Sequence, residues 1–183
     1  MIRSDKNFWA LALALGLVMF VTRVGHFGEY GGPPDASWAV FFLAGLWLRD
    51  ARMFPAFFAL GWGADLAAFS LGTPNLAFSP AYLFLLPAYG ALWAAGQWVA
   101  SRAEHRLPRV AAAVLGSAAV AFTVANLGMY LMAPPAASTG LGSFAAQVAG
   151  WFPGYLLTMS VYVASGLLIA ALLSVRRSAL AQR

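Results

Sequence analysis

The sequence predicts an all-α membrane protein, a bundle of six transmembrane helices that forms a single domain over residues 1–183. Of its 183 residues, 62% are hydrophobic and only 9% are charged. A soluble domain carries about 25% charged residues, so too few polar side chains are present here to cover a water-soluble globule. A second observation is that the basic residues form clusters, separated by long apolar segments that are almost free of charge.

The placement of these clusters predicts the topology. Ten of the eleven Lys and Arg residues fall in the two tails or in two short connections, 49–52 and 101–109, and only Arg23 does not. Because short cytoplasmic segments collect Lys and Arg, this alternation predicts an even number of crossings with both termini in the cytoplasm. Six apolar segments satisfy that number: Phe8–Val24, Ala36–Leu48, Met53–Leu71, Pro80–Val99, Val110–Met132 and Phe152–Val175. The second segment spans only about 20 Å against a hydrocarbon core of ~30 Å, so polar flanks or neighbouring helices must shield it.

Composition also limits the classes of function. The net charge of +5 is attributed to cytoplasmic connections that face anionic lipid, so the lipid bilayer is an expected partner and nucleic acid is not. The chain contains no cysteine, which excludes thiol catalysis and cysteine metal sites. An intramembrane enzyme is disfavoured because the spans contain no deep histidine, no paired carboxylates and no Gly-x-Ser-x-Gly motif.

Polar residues inside the apolar spans point to a site near the outer face, because such residues are costly in a membrane and mark ligands or packing contacts. Asp65 is the only acidic residue in a span, and it lies about 9 Å below the predicted outer end, as does Asn126. Four tyrosines share this outer position and two lie deeper: Tyr30, Tyr82, Tyr130 and Tyr155, then Tyr89 and Tyr162. The outer connections are rich in Gly and Pro and are expected to cover the site: 25–35, 72–79 and 133–150.

Each of these residues also has a simpler interpretation. Asp65 suits a buried structural ion pair with Arg23, which does not exclude a site nearby. Asn126 suits a hydrogen bond to another helix, and the outer tyrosines suit an interfacial aromatic belt. The simpler interpretation of His26 is a solvated histidine in the outer connection, without a ligand role. Taken together, the cluster favours a pocket that opens to the outside.

Three motifs and a pair of alanines carry a resemblance to a known family. The motifs are TRVGHFG at Thr22–Gly28, GWGAD at Gly61–Asp65 and SPAYLFLLPAY at Ser79–Tyr89. With six predicted helices in 183 residues, they resemble the proteobacterial BtuM family, small membrane proteins implicated in vitamin B12 uptake. The architecture also resembles the S-components of energy-coupling-factor (ECF) vitamin transporters. That resemblance implies that Ala10 and Ala14 form a partner interface on the first helix, although such a pair equally suits close packing between helices.

The resemblance implies a protein of the bacterial inner membrane that binds cobalamin (vitamin B12) at the outer face and mediates its uptake. Cobalamin is then the transported ligand, no prosthetic group is expected, and the protein acts alone or with an energising module of the ECF type. A corrin ring exposes apolar edges and amide side chains, which aromatic and polar residues suit. The expected substrate-binding residues are His26, Tyr30, Asp65, Asn75, Ala77, Phe78, Tyr82, Tyr89, Asn126, Tyr130 and Tyr155.

This sequence departs from the family at one position. Members of the family carry a cysteine in the connection before the SPAY motif, where a thiolate ligates cobalt and helps to remove cyanide. Ala77 is the expected counterpart here, with Leu76 and Phe78 as adjacent alternatives, so decyanation is not expected. His26 is the candidate axial ligand for cobalt. Two other functions stay open, namely an S-component for another vitamin and a six-helix membrane sensor or assembly module.

Overall fold

The computed structural model describes residues 6–26, 32–71, 79–102, 107–132 and 140–181, and all regular structure within these ranges is helical. This part of the chain contains seven α-helices: α1 (Lys6–His26), α2 (Ser37–Trp47), α3 (Met53–Ser70), α4 (Leu85–Ala100), α5 (Leu107–Met132), α6 (Leu141–Ala149) and α7 (Phe152–Ala181). A 3₁₀ helix, Pro80–Phe84, leads directly into α4. The predicted all-helical class is therefore confirmed.

Five segments of the described chain are long and apolar enough to cross a membrane: Lys6–Val24, Met53–Ser70, Pro80–Ala100, Leu107–Met132 and Phe152–Arg176. They correspond to five of the six predicted spans. The sixth, α2, has 11 residues, which extend about 16 Å, and nine of those 11 are buried. Neighbouring helices therefore shield α2. This was one of the two alternatives predicted from the sequence, the other being polar flanks. The crossing by α2 and the orientation of the termini stay predictions.

The outward surface of the bundle is apolar, which is compatible with a multi-pass membrane protein. Large aliphatic side chains are exposed along α1 and along most of α7, including Leu13, Leu17, Leu157, Leu168, Leu172 and Val175. Water-soluble monomers rarely expose continuous apolar surfaces of this kind. Lipid is the environment in which such a surface needs no further covering.

Close contact between α2 and α4 forms the centre of the bundle. A Cβ atom at Gly45 would collide with the carbonyl oxygen of Trp93, and a Cβ atom at Gly96 would collide with that of Phe42. The missing side chains allow the two backbones to touch, as small residues do between membrane helices. Beside this contact, the Phe41 ring stacks on the Tyr89 ring at a centroid distance of 4.4 Å.

We expect Gly96→Ala to lower the free energy of unfolding by about 1–3 kcal/mol, because the added methyl group overpacks the α2–α4 contact. Gly90→Ala is the matched control on the same helix, since a Cβ atom there meets no atom within 4 Å. Alanine favours a helix interior over glycine, so the control variant is expected to keep or slightly raise stability. Thermal unfolding of both purified variants in detergent checks the prediction, and equal midpoints would contradict it.

The structure differs from the sequence-based element boundaries in two places. The outer connection predicted over 133–150 contains helix α6, because Phe144 and Val148 lie one turn apart and bury the same face. Helix α7 continues to Ala181 instead of ending at Val175. Hydropathy indicates where the apolar segment of a helix ends. The helix itself can continue beyond that point, because its backbone hydrogen bonds do not require apolar side chains. The connections 27–31, 72–78 and 133–139 lie outside the described residues.

The connection between α2 and α3 is one of the two predicted basic connections. Arg49 adopts a left-handed backbone with φ 56°, and this reverses the chain after α2. Asp50 then accepts hydrogen bonds from the Arg52 backbone N–H at 3.1 Å and from its guanidinium Nε at 3.0 Å. The bonds from Arg52 hold the pKa of the Asp50 carboxyl below its ordinary value.

Candidate binding cavity

A cavity of about 710 Å³ occupies one end of the bundle. It lies where α1, α3 and α5 end and where α2, α4 and α7 begin, so its wall combines the last turns of three helices with the first turns of three others. The lining residues are Arg23, Pro34, Asp35, Trp38, Asp65, Ser79, Ala81, Tyr82, Leu85, Tyr89, Phe122, Ala125, Asn126, Met129, Phe144, Gly150, Trp151, Gly154, Tyr155, Thr158 and Met159. Its volume is within the range of about 300–1,000 Å³ that is typical of ligand sites.

The polar part of the wall is organised around Arg23, the basic residue that lies outside the clusters of Lys and Arg. The Arg23 Nε donates to Asp65 Oδ1 at 2.6 Å, and Nη2 donates to Asp65 Oδ2 at 2.7 Å. This is a bidentate pair between two helices, with planar donors matched to planar acceptors. Arg23 is only 6% exposed. The ion pair proposed from the sequence is confirmed, and both of its members also line the cavity.

The remaining nitrogen of Arg23, Nη1, binds two further helices and the segment before α2. Arg23 Nη1 donates to the Tyr89 hydroxyl at 2.8 Å, to Ser37 Oγ at 3.0 Å and to Asp35 Oδ2 at 3.2 Å. One guanidinium therefore connects α1 with α2, α3, α4 and the segment before α2. Removing it would leave several buried acceptors without a donor.

The segment 32–36 is held so that Asp35 reaches Arg23. Thr22 Oγ1 accepts a hydrogen bond from the Ala36 backbone N–H at 3.1 Å, and the Tyr162 hydroxyl of α7 donates to the Pro34 carbonyl oxygen at 2.9 Å. Asp35 Oδ1 accepts from the Ser37 backbone N–H at 2.9 Å and from the Ser37 hydroxyl at 2.6 Å. The first turn of α2 and the cavity wall thus share one carboxylate.

The SPAY motif supplies the third side of the polar wall. Ser79 Oγ accepts from the Ala81 backbone N–H at 3.3 Å, and Pro80 begins the 3₁₀ helix. The short helix brings the Tyr82 hydroxyl to Asp65 Oδ2, to which it donates at 2.8 Å. Tyr89 lies two turns further along, so both tyrosines face the same network.

Aromatic and thioether side chains form the opposite wall. The Trp38 and Tyr155 rings lie 5.0 Å apart, and the Phe122 and Tyr155 rings lie 5.8 Å apart, measured between centroids. Asn126 lies in this wall, and its Nδ2 donates to the Phe122 carbonyl oxygen of its own helix at 2.9 Å. A bond from Asn126 to another helix, one of the alternatives drawn from the sequence, does not occur among the described residues.

The structure brings five of the predicted binding residues together on this cavity: Asp65, Tyr82, Tyr89, Asn126 and Tyr155. Tyr130 is not in the lining, because its ring packs against Phe144 of α6 at 5.3 Å. The backbone of His26 ends α1, whereas its side chain, proposed as a cobalt ligand, lies outside the described part of the structure. Tyr30, Asn75, Ala77 and Phe78 also lie outside the described residues.

Ala10 and Ala14, the predicted partner interface, lie far from the cavity. Both are exposed on the outward face of α1. They do not pack against the other described helices, so close packing within the described part of the bundle does not account for them.

Sequence reasoning missed several residues of the cavity, of which Asp35 and Trp38 are the most important. Asp35 lies two residues before the first residue of α2, close to the position where acidic residues commonly cap helices, so nothing in its position signalled a second role. Trp38 was not among the residues expected to bind the ligand.

Within the described residues, no group of three or more His, Cys, Asp or Glu side chains is arranged to hold a metal ion. The sequence matches no protein-family model and no curated protein. The resemblance to the BtuM family, drawn from the three motifs, therefore stays a prediction.

Proposed function

We propose that this protein captures cobalamin from the outer face of the bacterial inner membrane and mediates its uptake in the manner of an S-component. The observation that carries the proposal is the cavity of about 710 Å³ at one end of the bundle. Its aromatic wall faces a polar wall built on Arg23. Tyr155, which lines the cavity, is 47% exposed, so the cavity reaches the surface of the described structure.

The chemistry of the two walls suits a corrin. The ring system presents extended apolar faces and edges, which Trp38, Phe122 and Tyr155 can contact. Its peripheral amides need hydrogen-bond partners, and the carboxylates of Asp35 and Asp65 together with the Asn126 side chain provide them. Cobalamin is larger than the cavity. We therefore propose that one face of the corrin enters and that the rest lies among the outer connections.

The basic residues support an outward-facing cavity. Every Lys and Arg whose side chain the structure describes, other than Arg23, lies toward the opposite end of the bundle: Lys6, Arg49, Arg52, Arg102, Arg109 and Arg176. Since Lys and Arg collect on the cytoplasmic side, the end without them is the outer one. A ligand from the periplasm would then meet the cavity first.

Binding of cyanocobalamin to the purified protein tests this function. We expect the vitamin to co-elute with the protein on size exclusion, to be seen by its visible absorbance, and to give saturable binding by calorimetry. Uptake is tested in cells that depend on external cobalamin, with and without an ECF-type energising module. Absence of cyanocobalamin binding would contradict the proposal and favour another vitamin or a sensor role.

Replacing both Ala10 and Ala14 by Leu is expected to reduce cobalamin uptake at least about tenfold while leaving cyanocobalamin binding unchanged. The reason is that large side chains prevent close approach of a partner helix to α1. The control variant replaces Ala112 and Ala119, two exposed alanines of α5, by Leu and adds the same number of atoms. Uptake assays and binding to purified protein are measured for both. Loss of binding together with uptake would contradict a partner role for this pair.

A further inference from the structure

We propose that the cavity selects its ligand by charge, accepting neutral and cationic ligands and rejecting anionic ones, and that Asp35 sets this preference. The inference rests on the proposed function, because it assigns the class of ligand that the same cavity takes. It follows from the balance of charge in the cavity wall.

The described wall carries more negative than positive charge. Its ionisable acidic and basic residues are Arg23, Asp35 and Asp65, so two carboxylates face one guanidinium and leave one negative charge uncompensated. The nearest other Lys or Arg of the same helix is Lys6, 17 residues from Arg23, which is about 25 Å along α1. Charges at the opposite end are therefore too distant to restore neutrality.

Arg23 itself offers little to an anionic ligand. Each of its three guanidinium nitrogens already donates to an acceptor of the protein. An incoming carboxylate would have to displace Asp65 from the bidentate pair, or bind at the second N–H of Nη2 beside two existing carboxylates. Both arrangements are unfavourable in a buried site.

The excess charge is assigned to Asp35 and not to Asp65. Asp65 receives two guanidinium bonds, at 2.6 and 2.7 Å, whereas Asp35 receives one at 3.2 Å. The side chain of Asp35 is also the more exposed of the two, at 25% against 12%. Asp65 therefore neutralises Arg23, and Asp35 presents its charge to the cavity. Vitamins that carry free carboxylates are excluded as ligands, and a corrin edged with neutral amides is accepted.

Three probes with the same cobalt coordination test the inference. They are cyanocobalamin, the mono-acid made by hydrolysing one peripheral amide, and the aminoethyl amide of that acid. The probes are neutral, negative and positive, and all keep the cyanide ligand, so differences in axial chemistry do not enter. We expect the full chain in lipid nanodiscs to bind the positive probe at least about tenfold more tightly than the negative one, the size expected for a unit charge in a partly buried site. The neutral probe is expected to lie between them.

Asp35→Asn is expected to bring the affinities of the three probes within about threefold of one another, whereas Asp35→Glu, which keeps the charge, should retain their order. Asp50→Asn is the matched control, since it removes a carboxylate paired with Arg52 at the opposite end, and it should retain the preference. If the unmodified protein binds all three probes with equal affinity, the charge preference is overturned and the proposed function stands. If none of the three corrins binds, the charge preference and the proposed function are both overturned. A preference that survives in Asp35→Asn would overturn the assignment to Asp35.

Discussion

Gly154→Trp is expected to weaken cyanocobalamin binding by at least about 100-fold, a loss of about 2.7 kcal/mol. Gly154 lines the cavity in the first turns of α7, and a Cβ atom there meets no atom within 4 Å. An indole at this position projects into empty space without a clash at its first carbon, so the fold is retained while ligand volume is lost. Calorimetric titration of the purified variant provides the measurement.

Two variants make this test specific. Gly154→Ala adds one methyl group and should bind nearly as well as the unmodified protein. Gly116→Trp places the same indole on the exposed surface of α5, where a Cβ atom also meets nothing within 4 Å, and should bind normally. A folded Gly154→Trp protein that binds cyanocobalamin with unchanged affinity would show that the ligand lies elsewhere.

Arg23→Met is expected to lower the free energy of unfolding by about 3–5 kcal/mol, the usual cost of removing one partner of a buried ion pair. The methionine fills part of the space but leaves the carboxylates of Asp35 and Asp65 without a cation. Thermal unfolding in detergent measures the effect. Arg23→Lys should be only partly stable, because one ammonium group cannot reproduce a bidentate pair with Asp65 and also reach three other acceptors.

Arg52→Met is the control for this prediction. Its salt bridge to Asp50 is also formed by a single guanidinium, but the Arg52 side chain is 68% exposed, and exposed pairs contribute little. No measurable change in stability is expected. Adding Asp65→Asn to Arg23→Met should recover part of the loss, since it removes one uncompensated charge. Equal destabilisation by Arg23→Met and Arg52→Met would contradict the central role of Arg23.

Much of the fold was predictable because a membrane imposes strong constraints on sequence. A helix that crosses a bilayer must be long and apolar, so five of the six predicted spans coincide with helices that the structure describes. The short segment that became α2 was recognised as needing either polar flanks or shielding by its neighbours. Helix α6 was missed because nine residues with two buried side chains give little periodic signal between Gly- and Pro-rich flanks.

Residues of the candidate site were predictable where a charged side chain stood alone in an apolar helix. Asp65 and Arg23 are both costly in an apolar helix, so each implied the other before any contact was known. Asp35 gave no such signal, since acidic residues at helix starts are common. Tyr130 was expected at the site because it shares the outer position of three other tyrosines, yet it faces α6. Depth along a helix is readable from sequence, whereas the direction of a side chain around the bundle is not.

By itself, the sequence determined the apolar helices, the alternation of basic connections and the presence of one cationic and one acidic group that needed each other. Only the tertiary structure decided that Asp35 joins this pair, that Trp38 belongs to the cavity and that Ala10 and Ala14 remain exposed. The physical reason is that residue spacing fixes positions along and around one helix, while the faces that meet depend on how the helices pack. Here that packing follows from the contact of Gly45 and Gly96 with the facing backbones, which draws α2 and α4 together and places Ser37 and Tyr89 on the same guanidinium.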